Sequence, residues 1–276
     1  MAFPERPAPG VGGHTAAGHA KAARVALTMD GRTVRAPEGT TLLAAARAAG
    51  IDVPTLCHHE ALEPWGGCRL CVVDITREGW NGSCQMVVSC LYPVEADLIV
   101  LTDTERVRTV RREILDLLLA RCPETPLIQR MARAYGITRT SYRPSPEPTD
   151  CILCGLCARL CDRLGMSAIS TVNRGIGKEV APPFRQPPPD CVGCLACAEI
   201  CPTAHIPYDS SDGERRIWGR RFPMLRCPNC GRSHLTAAQA DFSALRAGIP
   251  RPYFETCDAC KRAALGDTIA RLGLIG

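Results

Sequence analysis

No stretch of this 276-residue sequence approaches the ~20 consecutive apolar residues that cross a bilayer, so a membrane-spanning helix is excluded. The N-terminal stretch MAFPERPAPGVGGHTAAGHAKAA has no apolar core between its charges, so it reads as neither signal nor anchor. Residues 1–22 read instead as a disordered tail, with His14 and His19 as bystanders. No G-x-G-x-x-G follows a strand, and the GVGG of the tail has no βαβ unit behind it. There is also no P-loop and no evident flavin site, so nothing here performs two-electron chemistry on a nucleotide. No stretch reads as a molybdopterin or hydrogen-activating domain, and no dense aromatic–basic surface speaks for nucleic acid.

What is abundant is cysteine, 18 in all, gathered into C-x2-C pairs. A secreted disulfide scaffold is usually shorter and carries a signal peptide, so these thiols read as cytoplasmic and committed to metal. Two runs stand out, CILCGLCARLC at 151–161 and CVGCLACAEIC at 191–201, each spaced C-x2-C-x2-C-x3-C. That is the spacing of bacterial-type ferredoxins, in which two [4Fe–4S] clusters exchange their fourth ligands. It pairs Cys151, Cys154 and Cys157 with Cys201, and Cys191, Cys194 and Cys197 with Cys161. The formal charge of +5 invites a basic-surface reading. Four thiolate-bound centres at about −2 each would bring the loaded protein to roughly −3.

Ordered chain begins near Arg24. VALTMDGRTVRA alternates around Asp30–Gly31 and predicts a hairpin. Thr40 or Thr41 caps a short helix, LLAAARAA, that stops at Gly50. Cys57, Cys68 and Cys71 follow as C-x10-C-x2-C, then a strand (CVVDI), a polar turn and a second strand (QMVVS). Spacing leaves two candidates for a fourth thiol, Cys84 and Cys90; the apolar strand that Cys90 closes favours Cys90. The stretch from LTMDGRTVRAPEGTTLLAAARAAGIDVPTLCHHEAL through GGCRLCVVDI to VVSCLYPV resembles the N-terminal domain of the large iron–sulfur subunit of NADH dehydrogenase (complex I). It is also similar to the relay subunits of NAD-linked hydrogenases and formate dehydrogenases. The resemblance implies a β-grasp [2Fe–2S] domain with ligands Cys57, Cys68, Cys71 and Cys90, and leaves Cys84 outside the set.

In TDTERVRTVRREILDLLLAR, Thr102 and Glu105 read as a capping box and Val107, Val110, Ile114 and Leu117 or Leu118 as the buried stripe. Arg106, Arg108, Arg111 and Arg112 read as a solvated face. Thr125–Pro126 opens a further helix ending at Gly136. The resembling large subunits carry here a cluster held by one histidine and three cysteines, but between Cys90 and Cys151 this chain has only Cys122 and no histidine. That narrows the resemblance to the small diaphorase iron–sulfur subunits. Between the two cysteine runs, ISTVNRGIGKEVAPPF reads as a hairpin insertion. His205, after Cys201, reads as a neighbour of a cluster, since every thiolate position is filled.

The tail supplies Cys227, Cys230, Cys257 and Cys260 as C-x2-C-x26-C-x2-C, suited to tetrahedral zinc or, alternatively, iron as in rubredoxin. Zinc is favoured because few aromatic residues are there to shield a redox iron. The fold class is therefore α+β. A [2Fe–2S] β-grasp domain (23–103) leads through a helical connector (104–148) to a 2[4Fe–4S] ferredoxin domain (149–210) and a four-cysteine metal-knuckle, zinc-ribbon-like module (211–276). The expected role is an electron-transfer subunit between an NAD(P)H-oxidising flavoprotein subunit and a terminal metalloenzyme: a hydrogenase, formate dehydrogenase or complex I-like assembly. The alternative is a stand-alone ferredoxin-like carrier or redox sensor whose ribbon touches nucleic acid.

Overall fold

The computed structural model describes residues 23–211 and 213–272. The tail with His14, His19 and GVGG lies outside the described residues. The chain divides into two units, one of residues 23–53 with Val73–Thr102, the other of Pro54–Val72 with the described residues from 103 onward.

In the first unit, strands β1 (Arg24–Met29) and β2 (Arg32–Pro37) form the expected hairpin, with Leu27 opposite Val34. Period-two alternation buries Leu27, Met29, Val34 and Ala36 on one face. The turn needs left-handed backbone at Asp30 (φ 46°) and Gly31 (φ 76°), which an Asp-Gly dipeptide tolerates. Helix α1 (Leu42–Ala48) is capped by Thr41, whose side chain accepts from the Ala44 amide at 3.2 Å. It buries Leu42, Leu43, Ala45 and Ala46. Strands β3 (Val72–Thr76), β4 (Gln85–Val88) and β5 (Ile99–Leu101) complete a sheet of order β2-β1-β5-β3-β4. The central β5, parallel to β1, has no sequence signature, because three residues are too few to show a period.

Thr102 is not a helix cap. Its amide and hydroxyl donate to the Asp30 carboxylate at 2.7 and 2.6 Å, fastening β5 to the hairpin turn. Helix α2 (Glu105–Arg121) in the second unit is capped instead by Thr104, which accepts from the Val107 amide. Its buried stripe is Val107, Arg111, Leu115 and Leu119; it begins at the expected Val107 and then runs one position later than expected, with Leu117 exposed. Helix α3 (Pro126–Ala134) packs on it through Ile128 and Ala132.

Helix α4 (Leu156–Arg163), the β6 (Ser170–Val172) and β7 (Glu179–Ala181) hairpin and helix α5 (Ala196–Glu199) follow. Strands β8 (Tyr208–Ser211), β9 (Glu214–Ile217), β10 (Arg220–Arg226) and β11 (Ser233–Thr236) form an antiparallel sheet in the order β11-β10-β9-β8. Helices α6 (Ala237–Ala247) and α7 (Asp258–Arg271) end the described chain, α6 stopping at left-handed Gly248 as expected. Among the described residues, no helix is long and apolar enough to cross a membrane.

Candidate metal centres

The two cysteine runs have one backbone between them. In each, the residues flanking the second cysteine are left-handed: Leu153 (φ 54°) and Gly155 (φ 71°) around Cys154, Gly193 (φ 68°) and Leu195 (φ 64°) around Cys194. Leucine in this region costs about 1–2 kcal/mol, so the loop shape is imposed rather than intrinsic. Each loop then opens a helix, α4 or α5, that carries the third cysteine, Cys157 or Cys197.

Burial holds all these thiols above their ordinary range where a shift is resolved: Cys154 and Cys197 to about 11, Cys157 to about 12, and Cys151, Cys161 and Cys191 upward. Their electrostatic neighbours are informative. Cys201 pushes Cys151 and Cys154 further up, whereas Cys161 and Cys194 act on Cys191 and Cys197. Beyond burial, Cys157 is pushed up by Cys154 and Cys151 of its own run and by Cys197 of the other. Cys161, Cys191, Cys194 and Cys197 line one cavity with Met166, Ile169, Leu195, Ile217 and Trp218. Donors point at the sulfurs: the Ala168 amide to Cys161 at 3.3 Å, the His205 amide to Cys201 at 3.4 Å and the Trp218 indole to Cys197 at 3.5 Å. An apolar cage of four thiols with N–H groups aimed at sulfur fits an anionic iron–sulfur cluster, whose negative charge such donors stabilise.

Cys57, Cys68 and Cys71 lie in the 54–72 segment of the second unit, and Cys84 and Cys90 in the first. The Leu56 amide donates to the Cys68 sulfur at 3.4 Å and the Cys68 amide to the Cys57 sulfur at 3.3 Å. A hydrogen bond between the two side chains lowers Cys68 to about 6 and raises Cys57. Cys90 is buried and Cys84 exposed. Cys122 is fully buried among Leu115, Leu119 and Ile128, with its thiol pushed up to about 11 by burial, as a core residue.

Cys227, Cys230, Cys257 and Cys260 place all four sulfurs within 4.8 Å of one another. The Cys230 and Cys257 sulfurs are 3.7 Å apart. A tetrahedral site of four sulfurs with bonds near 2.3 Å needs those sulfurs about 3.8 Å apart, so the set fits zinc or mononuclear iron. The Cys257 amide, donating to Cys227 at 3.4 Å, lowers that thiol to about 6. Hydrogen bonding to Cys257 raises Cys260 to about 12.

Sequence reasoning missed a set of arginines that grip the loops carrying these cysteines. Arg111, read as solvated, is buried and donates to the carbonyls of Leu70 and Val72, on either side of Cys71, at 2.9 and 2.8 Å. Arg159 reaches the Cys57 and Glu63 carbonyls and lies over the Trp65 ring. Arg121 holds the Cys151 carbonyl at 2.8 Å, Arg215 that of Gly193 and Arg220 that of Cys191, also at 2.8 Å. The available signal was positional: arginines on helices or strands predicted to pack beside metal loops.

A family profile described as a 2Fe-2S iron-sulfur cluster binding domain matches residues 22–105. The chain is 33% identical over 187 residues to the NADP-reducing hydrogenase subunit HndD of Solidesulfovibrio fructosivorans, covering 57% of this chain and 31% of that one. It is 28% identical over 179 residues to the mitochondrial NADH-ubiquinone oxidoreductase 78 kDa subunit of Candida albicans, covering 55% of this chain and 24% of that one. It thus spans about a third or less of these curated relatives. A chain of the crystal structure of NAD+-reducing [NiFe]-hydrogenase in the H2-reduced state is 31% identical with a TM-score of 0.51, covering 58% of this chain and 75% of that one.

Proposed function

The chain belongs to the iron–sulfur electron-transfer subunits of NAD(P)H-linked hydrogenases and complex I-like enzymes, and from that premise we propose that it relays single electrons within such an assembly. Its partners in this reading are a flavoprotein subunit that oxidises NAD(P)H and a terminal metalloenzyme subunit. The proposed ligands are Cys57, Cys68, Cys71 and Cys90 for a [2Fe–2S] cluster. Two [4Fe–4S] clusters are assigned to Cys151, Cys154, Cys157 and Cys201, and to Cys191, Cys194, Cys197 and Cys161. Cys227, Cys230, Cys257 and Cys260 are assigned to zinc. Such clusters supply one-electron exchange at potentials set by hydrogen bonds, charge and solvent.

The observation that carries this reading is the duplicated left-handed loop, which in each run turns about the second cysteine and opens a helix bearing the third. The work of the chain's own residues is to hold the sulfurs, exclude water from them and aim N–H groups at them. The exposure of Cys84 and burial of Cys90 support Cys90 as the fourth [2Fe–2S] ligand.

Anaerobic metal analysis of the purified chain is expected to give about ten irons, with matching sulfide, and one zinc. About six irons would remove one [4Fe–4S] assignment; about eleven without zinc would make the last site mononuclear iron. Co-purification with a flavoprotein that reduces the clusters from NAD(P)H tests the relay itself. A chain isolated alone, whose clusters no such flavoprotein reduces, would sink it.

A further inference from the structure

The turn between β9 and β10 is built from an unfavourable residue. Ile217 pairs with Arg220, leaving a two-residue loop of Trp218 and Gly219, both left-handed at φ 52° and 74°. A two-residue hairpin turn of this hand favours Asn, Asp or Gly first, and a bulky aromatic there is strained. The side chain accounts for the exception. Its ring lines the cavity shared by Cys161, Cys191, Cys194 and Cys197, and its indole N–H donates to the Cys197 sulfur at 3.5 Å.

The rest of the sheet holds this contact in place. Arg215 on β9 donates to the Gly193 carbonyl and Arg220 on β10 to the carbonyls of Pro188, Pro189 and Cys191. Thr236 at the end of β11 donates to the Val192 carbonyl at 2.5 Å. The Phe222 ring lies so close to Gly193 that a Cβ there would meet it at 2.7 Å. The loop that carries Cys191 and Cys194 is thus seated on the C-terminal sheet, which fixes the distance from Trp218 to Cys197.

We propose that Trp218 is a positioning residue for the cluster held by Cys161, Cys191, Cys194 and Cys197, raising its reduction potential by donating a hydrogen bond to Cys197. This rests on the proposed ligand set. A reduced cluster carries more negative charge on its sulfurs, so an N–H aimed at one of them stabilises the reduced form more than the oxidised form.

The test is an EPR-monitored redox titration of the complete, loaded chain and of Trp218→Phe, which keeps an aromatic ring and removes the donor. Cys191→Ser identifies the signal of the cluster concerned. The expected result is a more negative potential for that cluster alone, the other two unchanged. An unchanged potential, or an equal shift of all three, overturns the assignment. A second measurement stands if the variant loses its cluster: pulsed ENDOR of the reduced wild-type chain carrying tryptophan labelled with 15N at the indole nitrogen. A coupling of an indole nitrogen to that cluster supports the hydrogen bond from Trp218, and its absence refutes it. Iron for only one [4Fe–4S] cluster in the wild-type chain would instead defeat the parent ligand reading and take this assignment with it; a full complement without the shift defeats the Trp218 role alone.

Discussion

Arg111 carries a full charge into a buried position, where its partners are two backbone carbonyls and, at 3.5 Å, the Tyr135 hydroxyl. The guanidinium fork spans the peptide groups on both sides of Cys71, so it sets the angle at which that sulfur is presented. Removing it strands the carbonyls of Leu70 and Val72, and a buried polar group left unpaired costs about 1–3 kcal/mol. Arg111→Met is therefore expected to lower the unfolding free energy of the loaded chain by roughly 2 kcal/mol and to broaden the [2Fe–2S] EPR signal. A denaturation midpoint and spectrum like the wild type's would show that water replaces the arginine. Two serine substitutions address the neighbouring ligand choice. Cys90→Ser should abolish the [2Fe–2S] signal and Cys84→Ser should leave it; the reverse would exchange the two residues' roles.

At the level of elements, the repeat of the two cysteine runs was legible because it is local, whereas the left-handed turns about Cys154 and Cys194 and the starts of α4 and α5 came only with the structure. The β1–β2 hairpin was legible for the same reason, through alternation and Asp30–Gly31. What escaped were features made by distant residues. Strand β5 exists because β1 and β3 lie on either side of it, and Thr102 turns from helix capping to Asp30 because that carboxylate is brought to it across 72 positions of chain. Likewise the α2 stripe shifted because a buried arginine, which periodicity counts as polar, occupies one of its turns. Gly193 shows the local and the distant meeting at one residue. It is left-handed because the loop requires it, and it lacks a Cβ because Phe222 fills that space. Gly193→Ala should therefore cost one [4Fe–4S] cluster, lowering iron by about four per chain while the other two EPR signals persist. Retention of all the iron would mean that Phe222 yields without moving the loop.

For the molecule as a whole, the formal charge of +5 takes on a specific meaning. Arg111, Arg121, Arg159, Arg215 and Arg220 direct their donors to the carbonyls of cysteine-bearing loops, so part of the basic charge is spent inside the fold, where in the proposed reading it would offset the negative charge of loaded clusters. The C-terminal four-cysteine site belongs to the same scheme through its connection to the sheet. Cys227 and Cys230 lie between β10 and β11, the two strands whose Arg220, Phe222 and Thr236 hold residues 188–193. In the proposed reading, a metal closing that knuckle would fix the register of β10 against β11, which is irregular at Leu225–Arg226, and with it the seat of the Cys191–Cys194 loop. Without the metal, four thiols within 4.8 Å would be relieved of repulsion only by staying protonated or by separating. A Cys230→Ser, Cys260→Ser double variant is accordingly expected to lose its zinc. During exposure to a mild iron chelator, it should lose the Cys161/Cys191/Cys194/Cys197 cluster several-fold faster than the other two. Integrated EPR intensities followed over time give the comparison within each sample. Loss of all three clusters at one common rate would mark the site as a general stability clamp, and unchanged rates would separate it from the clusters altogether; either result would end the argument that it buttresses one cluster in particular.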